Sequence, residues 1–269
     1  MVKHLLKYYC RAQTRYRIHS PFVFDLIQEV LEDDRQYYIY DAWKQLRGRL
    51  SNNNASIEVT DLGAGSRKGE GTQRKVSEIV KNAVSPDWQC QFLFRLVNYL
   101  QPQHRLEIGT SLGLSSLYQY YAHPSTPLLT LEGSPEIAKL ARENFKLLNA
   151  TGLELIEGPF EETLSTALER LGSLDFAFID GNHRKDPTLQ YFEQCLPYLH
   201  KDSVLVFDDI YWSDEMAEAW ESLKAHPAVT LSIDLFWCGM LFFREEQKEK
   251  QAFTLIPQRY KPWQLGLFR

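Results

Sequence analysis

Carboxylate side chains stand at the ends of short apolar runs in this 269-residue chain, which is a common place for reactive groups in α/β proteins. Asp180 ends one run, and the pair Asp208 and Asp209 ends the next. Like charges so close would raise each other's pKa unless a cation lies among them. Oxygen ligands suit Mg²⁺ or Ca²⁺, so the pattern predicts a divalent-metal site at these three aspartates. The alternative is that Asp208 or Asp209 caps the following turn.

A glycine turn at Leu106–Ser115 is the second candidate site. Gly109 and Gly113 have the spacing GxxxG, which lacks the GxGxxG of a dinucleotide site. Glu132 follows Gly109 by 23 residues, at the end of the next predicted strand, where its carboxylate can accept hydrogen bonds from two ribose hydroxyls. Glu107 would repel a phosphate but suits a cationic ligand. These features together favour S-adenosylmethionine, which carries a ribose, an adenine and a positive charge.

Another glycine-rich segment, Asp61–Gly71, lacks a following strand and a ribose acid. We therefore predict a lid or cap loop at Asp61–Ser66.

The elements that must position these residues alternate between strands and helices, which predicts βαβ crossovers and a mostly parallel sheet. A hairpin, Val229–Phe236 with Gly239–Arg244, follows the helix Asp214–His226; its short link allows only antiparallel pairing. The predicted strands are Arg105–Gly109, Leu128–Glu132, Leu153–Glu157, Leu174–Asp180 and Ser203–Asp209, and the helices between them are Leu114–Ala122, Pro135–Asn149, Phe160–Leu171 and Pro187–Leu199.

Composition excludes several classes of protein. With 44% hydrophobic residues and a net charge of −5, the chain is neither disordered nor a general nucleic-acid binder. Residues 1–20 carry five basic side chains and no acidic one, so the rest of the chain has a net charge of −10. We interpret this basic helix as a solvated face rather than a docking site for an anionic membrane or a partner. The four cysteines lack CxxC spacing, and no apolar run could cross a membrane, so we expect free thiols and a cytoplasmic protein.

From about residue 86 to 244, the sequence resembles class I S-adenosylmethionine-dependent methyltransferases, and among them the small-molecule O-methyltransferases of the catechol and macrocin types. The resemblance implies a Rossmann-like α/β fold with a seven-stranded, mostly parallel sheet that ends in an antiparallel hairpin. It rests on the segments Ser85–Gln89 (SPDWQ), Leu106–Gly113 (LEIGTSLG), Thr130–Glu132 (TLE), Glu157–Phe160 (EGPF), Phe178–His183 (FIDGNH) and Val206–Asp209 (VFDD).

The resemblance also implies roles for individual residues. Glu107, Gly109 and Ser111 would contact the methionine end of the cofactor, with Thr110 and Gly113 in the same turn. Glu132 would bind the ribose, and Gly158 and Phe160 would border the adenine, although Phe160 is equally compatible with a core position. The three aspartates would hold a divalent metal, as in relatives that chelate two substrate oxygens, but an acid at the position of Asp180 also occurs in metal-free relatives.

Methyl transfer to a hydroxyl needs a group that removes its proton. The catechol type uses a lysine three residues after the first metal-binding aspartate, and His183 stands at that position here. Histidine has a suitable intrinsic pKa, so we favour His183 over Lys185 or Asp180 itself. This departure argues against a catechol substrate.

The expected organisation is an N-terminal helical appendage at 1–85, a methyltransferase core at 86–244 and a C-terminal tail at 245–269. The expected activity is metal-assisted methylation of a small-molecule hydroxyl. A metal-independent N- or C-methyltransferase, a non-catalytic docking protein and an NAD-binding protein are the alternatives, and a homo-oligomer is left open.

Overall fold

The computed structural model describes residues 1–59, 73–246 and 249–264. In chain order, its helices are α1 (Val2–Arg11), α2 (Pro21–Leu26), α3 (Ile39–Ser51), α4 (Val76–Ala83), α5 (Asp87–Leu100), α6 (Leu114–Ala122), α7 (Pro135–Leu147), α8 (Phe160–Leu171), α9 (Lys185–Cys195) and α10 (Asp214–Ala225). Its strands are β1 (Ser56–Glu58), β2 (Gln73–Lys75), β3 (Arg105–Ile108), β4 (Leu128–Glu132), β5 (Leu153–Glu157), β6 (Phe176–Ile179), β7 (Val204–Asp208), β8 (Leu231–Asp234), β9 (Cys238–Phe242) and β10 (Gln251–Thr254).

The chain forms two compact units that do not follow the division expected at residues 85 and 244. One, the 35–182 unit, is continuous in sequence. The other, the split unit, combines Met1–Asp34 with His183–Arg269. The expected appendage at 1–85 is thus shared between the units, because its first 34 residues pack with the C-terminal part of the chain.

Parallel strands form the centre of the 35–182 unit. They lie in the order β6-β3-β4-β5, with β3 paired to both β4 and β6. Every residue of β3, β4 and β6 is buried, as in a sheet that helices cover on both faces. This agrees with the predicted α/β architecture, and the carboxyl ends of these strands all lie at one edge of the sheet.

The split unit contributes four further strands in the order β10-β8-β9-β7. Strand β9 pairs antiparallel with both β7 and β8, so the predicted C-terminal hairpin is confirmed. The sheet has eight strands rather than the predicted seven, because β10 lies in the expected tail at 245–269 and pairs parallel with β8. Backbone hydrogen bonds from Gln251 to Thr230 (2.9 Å) and from Leu255 to Asp234 (2.9 Å) hold it there. Sequence analysis did not predict this four-residue strand because it is short and follows a run of charged residues.

Short helices occupy the start of the split unit. Pro21 is the first residue of α2, and the Ser20 hydroxyl before it accepts a hydrogen bond from the Val23 amide at 3.5 Å. Helix α1 buries only Tyr8, which packs with Ala12 and Ile256.

Three expectations concern the chain as a whole. The expected lid loop, Asp61–Ser66, lies outside the described residues. All four cysteines are free, and three of them are buried. Within the described part of the chain, no helix is long and apolar enough to cross a membrane.

Candidate cofactor site

The glycine turn follows β3 directly, and its backbone passes very close to the end of β6. A Cβ atom on Gly109, which has φ +101°, would lie 2.2 Å from the Asp180 carbonyl oxygen. A Cβ atom on Gly113, with φ +79°, would lie 2.3 Å from a ring carbon of Phe145. Glycine is therefore required at both positions for this path of the chain.

Hydrogen bonds to neighbouring elements fix the shape of the turn. The amides of Gly109 and Thr110 both donate to the Leu131 carbonyl at 3.0 Å. The Asn144 side chain donates from α7 to the Leu112 carbonyl at 2.9 Å. Ser111 has φ +49°, a conformation that side chains rarely adopt and that ligand-binding loops often contain. Hydrogen bonds within the protein thus fix the conformation of the turn.

Glu132 is the acid at the end of β4, and its carboxylate lies beside this turn. One oxygen accepts from the Ser111 amide at 2.8 Å and the other from the Ser134 amide at 2.9 Å. The side chain is buried and forms no ion pair with any described residue, and burial raises its pKa to about 7. Since each carboxylate oxygen has two lone pairs, both can still accept a further hydrogen bond. The geometry therefore fits an acceptor for a pair of hydroxyls.

Glu107 has a different environment from the one expected for a residue that contacts a ligand. Its carboxylate is completely buried, and burial raises its pKa. It accepts hydrogen bonds from Ser115 (2.7 Å), Gln119 (2.7 Å) and Thr130 (2.6 Å), and also from Ser116. Four protein donors thus saturate this carboxylate. They join the start of α6 to β3 and β4 beneath the glycine turn.

Gly158 and Phe160 lie at the junction of β5 and α8, as predicted. Gly158 has φ +142°, and its amide donates to the Glu132 carbonyl at 3.0 Å, which brings this junction next to the end of β4. Phe160 is half-buried, and a Cβ atom on Gly181 would lie 2.7 Å from its ring. Phe160 therefore packs over the segment that follows β6 and also borders the turn region, so neither expected role is removed.

Asp180 ends β6 and is half-buried. The Ser85 hydroxyl donates to its carboxylate at 3.4 Å, and Ser85 belongs to the segment just before α5. Sequence similarity had marked Ser85 as part of a motif, and this contact gives a physical reason for its position.

His183 and Asp209 belong to the split unit and influence each other electrostatically. Burial lowers the pKa of His183, and the nearby charge of Asp209 opposes that effect. Burial likewise raises the pKa of Asp209, with His183 acting in the opposite direction. Both residues have positive φ, +39° and +52°, and such strain is concentrated at functional sites. The ring of Trp212 lies 6.4 Å from that of His183.

The expected metal ligands do not form a recognisable site. Among residues 1–59, 73–246 and 249–264, no group of three or more His, Cys, Asp or Glu side chains is arranged to hold a metal ion.

Sequence reasoning missed the supporting residues of the turn. Ser115, Ser116 and Gln119 are buried polar residues in a helix that otherwise faces the core, and Asn144 has the same character in α7. Polar residues at buried helical positions are the signal that could have identified them, because such groups need hydrogen-bond partners.

The parallel strands, the glycine turn after β3 and the acid at the end of β4 together form a Rossmann-like fold. Residues 106–210 match the family described as "Methyltransferase domain". This region is therefore similar to a methyltransferase domain, in agreement with the resemblance seen in the sequence.

Two curated relatives share this region. The catechol O-methyltransferase of Mycobacterium tuberculosis is 32% identical over 136 residues, which are 50% of this chain and 60% of that protein. The catechol O-methyltransferase of Niastella koreensis is 30% identical over 131 residues, 48% of this chain and 58% of that protein. The matches thus span about three fifths of the length of each relative. A crystal structure of an S-adenosylhomocysteine-bound methyltransferase from Podospora anserina superimposes with a TM-score of 0.55 at 20% identity, covering 79% of this chain and 100% of that one, and so supports the fold.

Proposed function

We propose that this protein transfers a methyl group from S-adenosylmethionine to a hydroxyl of a small molecule. The observation that carries the proposal is Glu132, a buried acid that pairs with no cation among the described residues and is oriented by two backbone amides beside the glycine turn. An uncompensated buried carboxylate is unfavourable in a protein that has no use for it. A ribose with two vicinal hydroxyls would supply the donors that this carboxylate lacks.

Different residues around the turn would bind different parts of the cofactor. Glu132 would accept hydrogen bonds from the ribose, and Gly109–Gly113 would let the cofactor approach the backbone closely. Gly158 and Phe160 would border the adenine. The bound cofactor would supply an electrophilic methyl group on a sulfonium. Glu107 would support the turn from below, since protein donors already occupy its carboxylate.

His183 is our candidate for the group that accepts the proton of the acceptor hydroxyl. It stands three residues after Asp180 in the chain, and a lowered pKa keeps its imidazole neutral and able to accept a proton near neutral pH. Asp209 would stabilise the imidazolium that forms. The names of the two catechol O-methyltransferase relatives support oxygen as the acceptor atom.

Divalent-metal assistance is a separate proposal, and none of the residue roles given above depends on a metal ion. The described residues do not present a metal site, so this proposal rests on the sequence pattern at Asp180, Asp208 and Asp209. Metal assistance would be excluded if methyl transfer persists after treatment with EDTA and is not changed by added Mg²⁺. A metal-independent N- or C-methyltransferase would then be the alternative to examine.

Calorimetry with S-adenosylhomocysteine tests the central claim. We expect a single site per chain, and substantially weaker binding for Glu132→Gln. Glu157→Gln is a matched control, because Glu157 ends the neighbouring strand but is paired with Arg142 on the surface. The absence of binding at millimolar ligand, or equal loss in both variants, would contradict the proposal. Radiolabelled methyl transfer to a panel of hydroxylated aromatic compounds would then define the acceptor.

A further inference from the structure

Helix α1 of the split unit has an unusual solvent-facing side. Val2 and Leu6 are 74% and 63% exposed, and Met1 and Leu5 are exposed as well. Tyr8 is the helix's only buried residue. A helix on a protein surface normally presents polar side chains to water, so grouped exposed aliphatic residues indicate an interaction surface.

Two aromatic residues near the C-terminus lie close to the same helix. Trp263 and Tyr260 are 63% and 52% exposed. The Tyr9 hydroxyl of α1 donates to the Tyr260 carbonyl at 2.9 Å, and the Lys261 ammonium lies 4.7 Å from the centre of the Tyr9 ring. This places the aromatic pair beside α1. Of the ten large hydrophobic side chains exposed in the described residues, seven belong to residues 1–16 and 260–263.

Positive charge accompanies this apolar surface. The basic residues of the first 20 are Lys3, Lys7, Arg11, Arg15 and Arg17, with no acid among those 20. On α1 itself, Lys3, Lys7 and Arg11 are exposed, and none of them forms an ion pair or side-chain hydrogen bond with a described residue. Acidic side chains of α10 lie on one side of this stripe: Asp214 pairs with His4 at 2.7 Å, and Glu218 and Glu221 line the same cavity as Lys7 and Arg11. The positive charge is thus partly compensated on that side and exposed to solvent on the other.

We propose that this surface, formed by α1 with Tyr260 and Trp263, docks on an anionic lipid bilayer. Aliphatic side chains of a short helix enter the boundary between headgroups and acyl chains, and tryptophan and tyrosine are favoured at that depth. Lysine and arginine add attraction to anionic headgroups, each worth about a fivefold gain in binding. The helix lies on the membrane and does not cross it, which places the enzyme next to acceptors dissolved in lipid.

Flotation with vesicles tests this docking surface. The intact protein is mixed with vesicles of phosphatidylcholine alone or of phosphatidylcholine with phosphatidylserine. We expect binding to the anionic vesicles only, and its loss at about 0.5 M NaCl, where charges are screened. Leu6→Glu should weaken binding about tenfold or more, and Lys3→Glu with Lys7→Glu about 25-fold or more.

Matched controls come from α7, on the other compact unit. Leu147 is 47% exposed, and Lys139 and Lys146 are exposed too. Leu147→Glu and the double variant Lys139→Glu, Lys146→Glu should leave vesicle binding unchanged. Melting temperature and S-adenosylhomocysteine affinity should be the same in all variants, because no altered residue belongs to the cofactor site.

Three outcomes would overturn the proposal. The first is no binding of the unaltered protein to anionic vesicles at low salt. The second is an equal loss of binding in the α1 and α7 variants. The third is a concentration-dependent dimer, seen by sedimentation velocity, that Leu6→Glu dissociates, since a second copy of the chain would then cover this surface.

Discussion

Protonation of Glu132 should control cofactor affinity. Burial raises the pKa of this carboxyl from 4.5 to about 7, so in the free protein it is about 90% protonated at pH 6 and about 10% protonated at pH 8. Two ribose hydroxyls bind the ionised form best, because it has acceptor capacity on both oxygens. Binding at pH 6 must therefore release close to one proton. The dissociation constant for S-adenosylhomocysteine should rise about tenfold from pH 8 to pH 6, a change of about 1.4 kcal/mol.

The raised pKa of Glu132 also makes the stability of the folded protein depend on pH, and in the opposite direction from cofactor affinity. A carboxyl whose pKa is higher in the folded state stabilises the free protein fully below about pH 4.5, and this contribution is lost as pH rises through about 7. Bound cofactor should remove part of that loss by stabilising the ionised form. The melting-temperature gain from S-adenosylhomocysteine should consequently be larger at pH 8 than at pH 6.

Calorimetry at pH 6 and pH 8 gives the affinities, and buffers with different ionisation enthalpies give the number of protons released. Glu132→Gln is the control, because any ionisation of the ligand itself acts equally on both proteins. An affinity that changes less than about twofold, with no proton released at pH 6, would refute the reasoning. So would an unchanged pH dependence in Glu132→Gln.

Other predictions concern stability and chemistry. Glu107→Ala should lower the free energy of unfolding by about 3 kcal/mol, measured by urea denaturation, because it leaves several buried donors without a partner. Gly109→Ala should destabilise by about 2 kcal/mol or more, since its Cβ would meet Asp180, whereas Gly48→Ala at an exposed position of helix α3 should be neutral or stabilise; equal melting temperatures would contradict this. His183→Ala should lower kcat by about 10²-fold or more without changing cofactor affinity, and the unaltered enzyme's rate should rise with pH through a pKa below 6.5; an unchanged kcat would exclude His183 as the base.

Much of the fold could be predicted because it depends on local pattern. Alternating apolar runs and helical spacing located β3 to β7 and the helices between them, and the short link after residue 236 required an antiparallel hairpin. The glycine spacing and the position of Glu132 were visible for the same reason, since a strand, a turn and a helix are specified by neighbouring residues. Strand β10 was not predictable, because only pairing with β8 stabilises so short a segment.

The sequence by itself was enough to predict the proposed cofactor, since glycines and acids occur at set distances along one chain. Only the tertiary structure decided what each acid does. Glu132 and Glu107 have the same side chain and lie in the adjacent strands β4 and β3. Glu132 can accept further hydrogen bonds beside the turn, whereas four protein donors saturate Glu107. The environment of α1 was decided in the same way, because burial and hydrogen bonding depend on residues far away in the chain. Its basic stripe was visible in the sequence, but only packing shows which of its apolar side chains remain in contact with solvent.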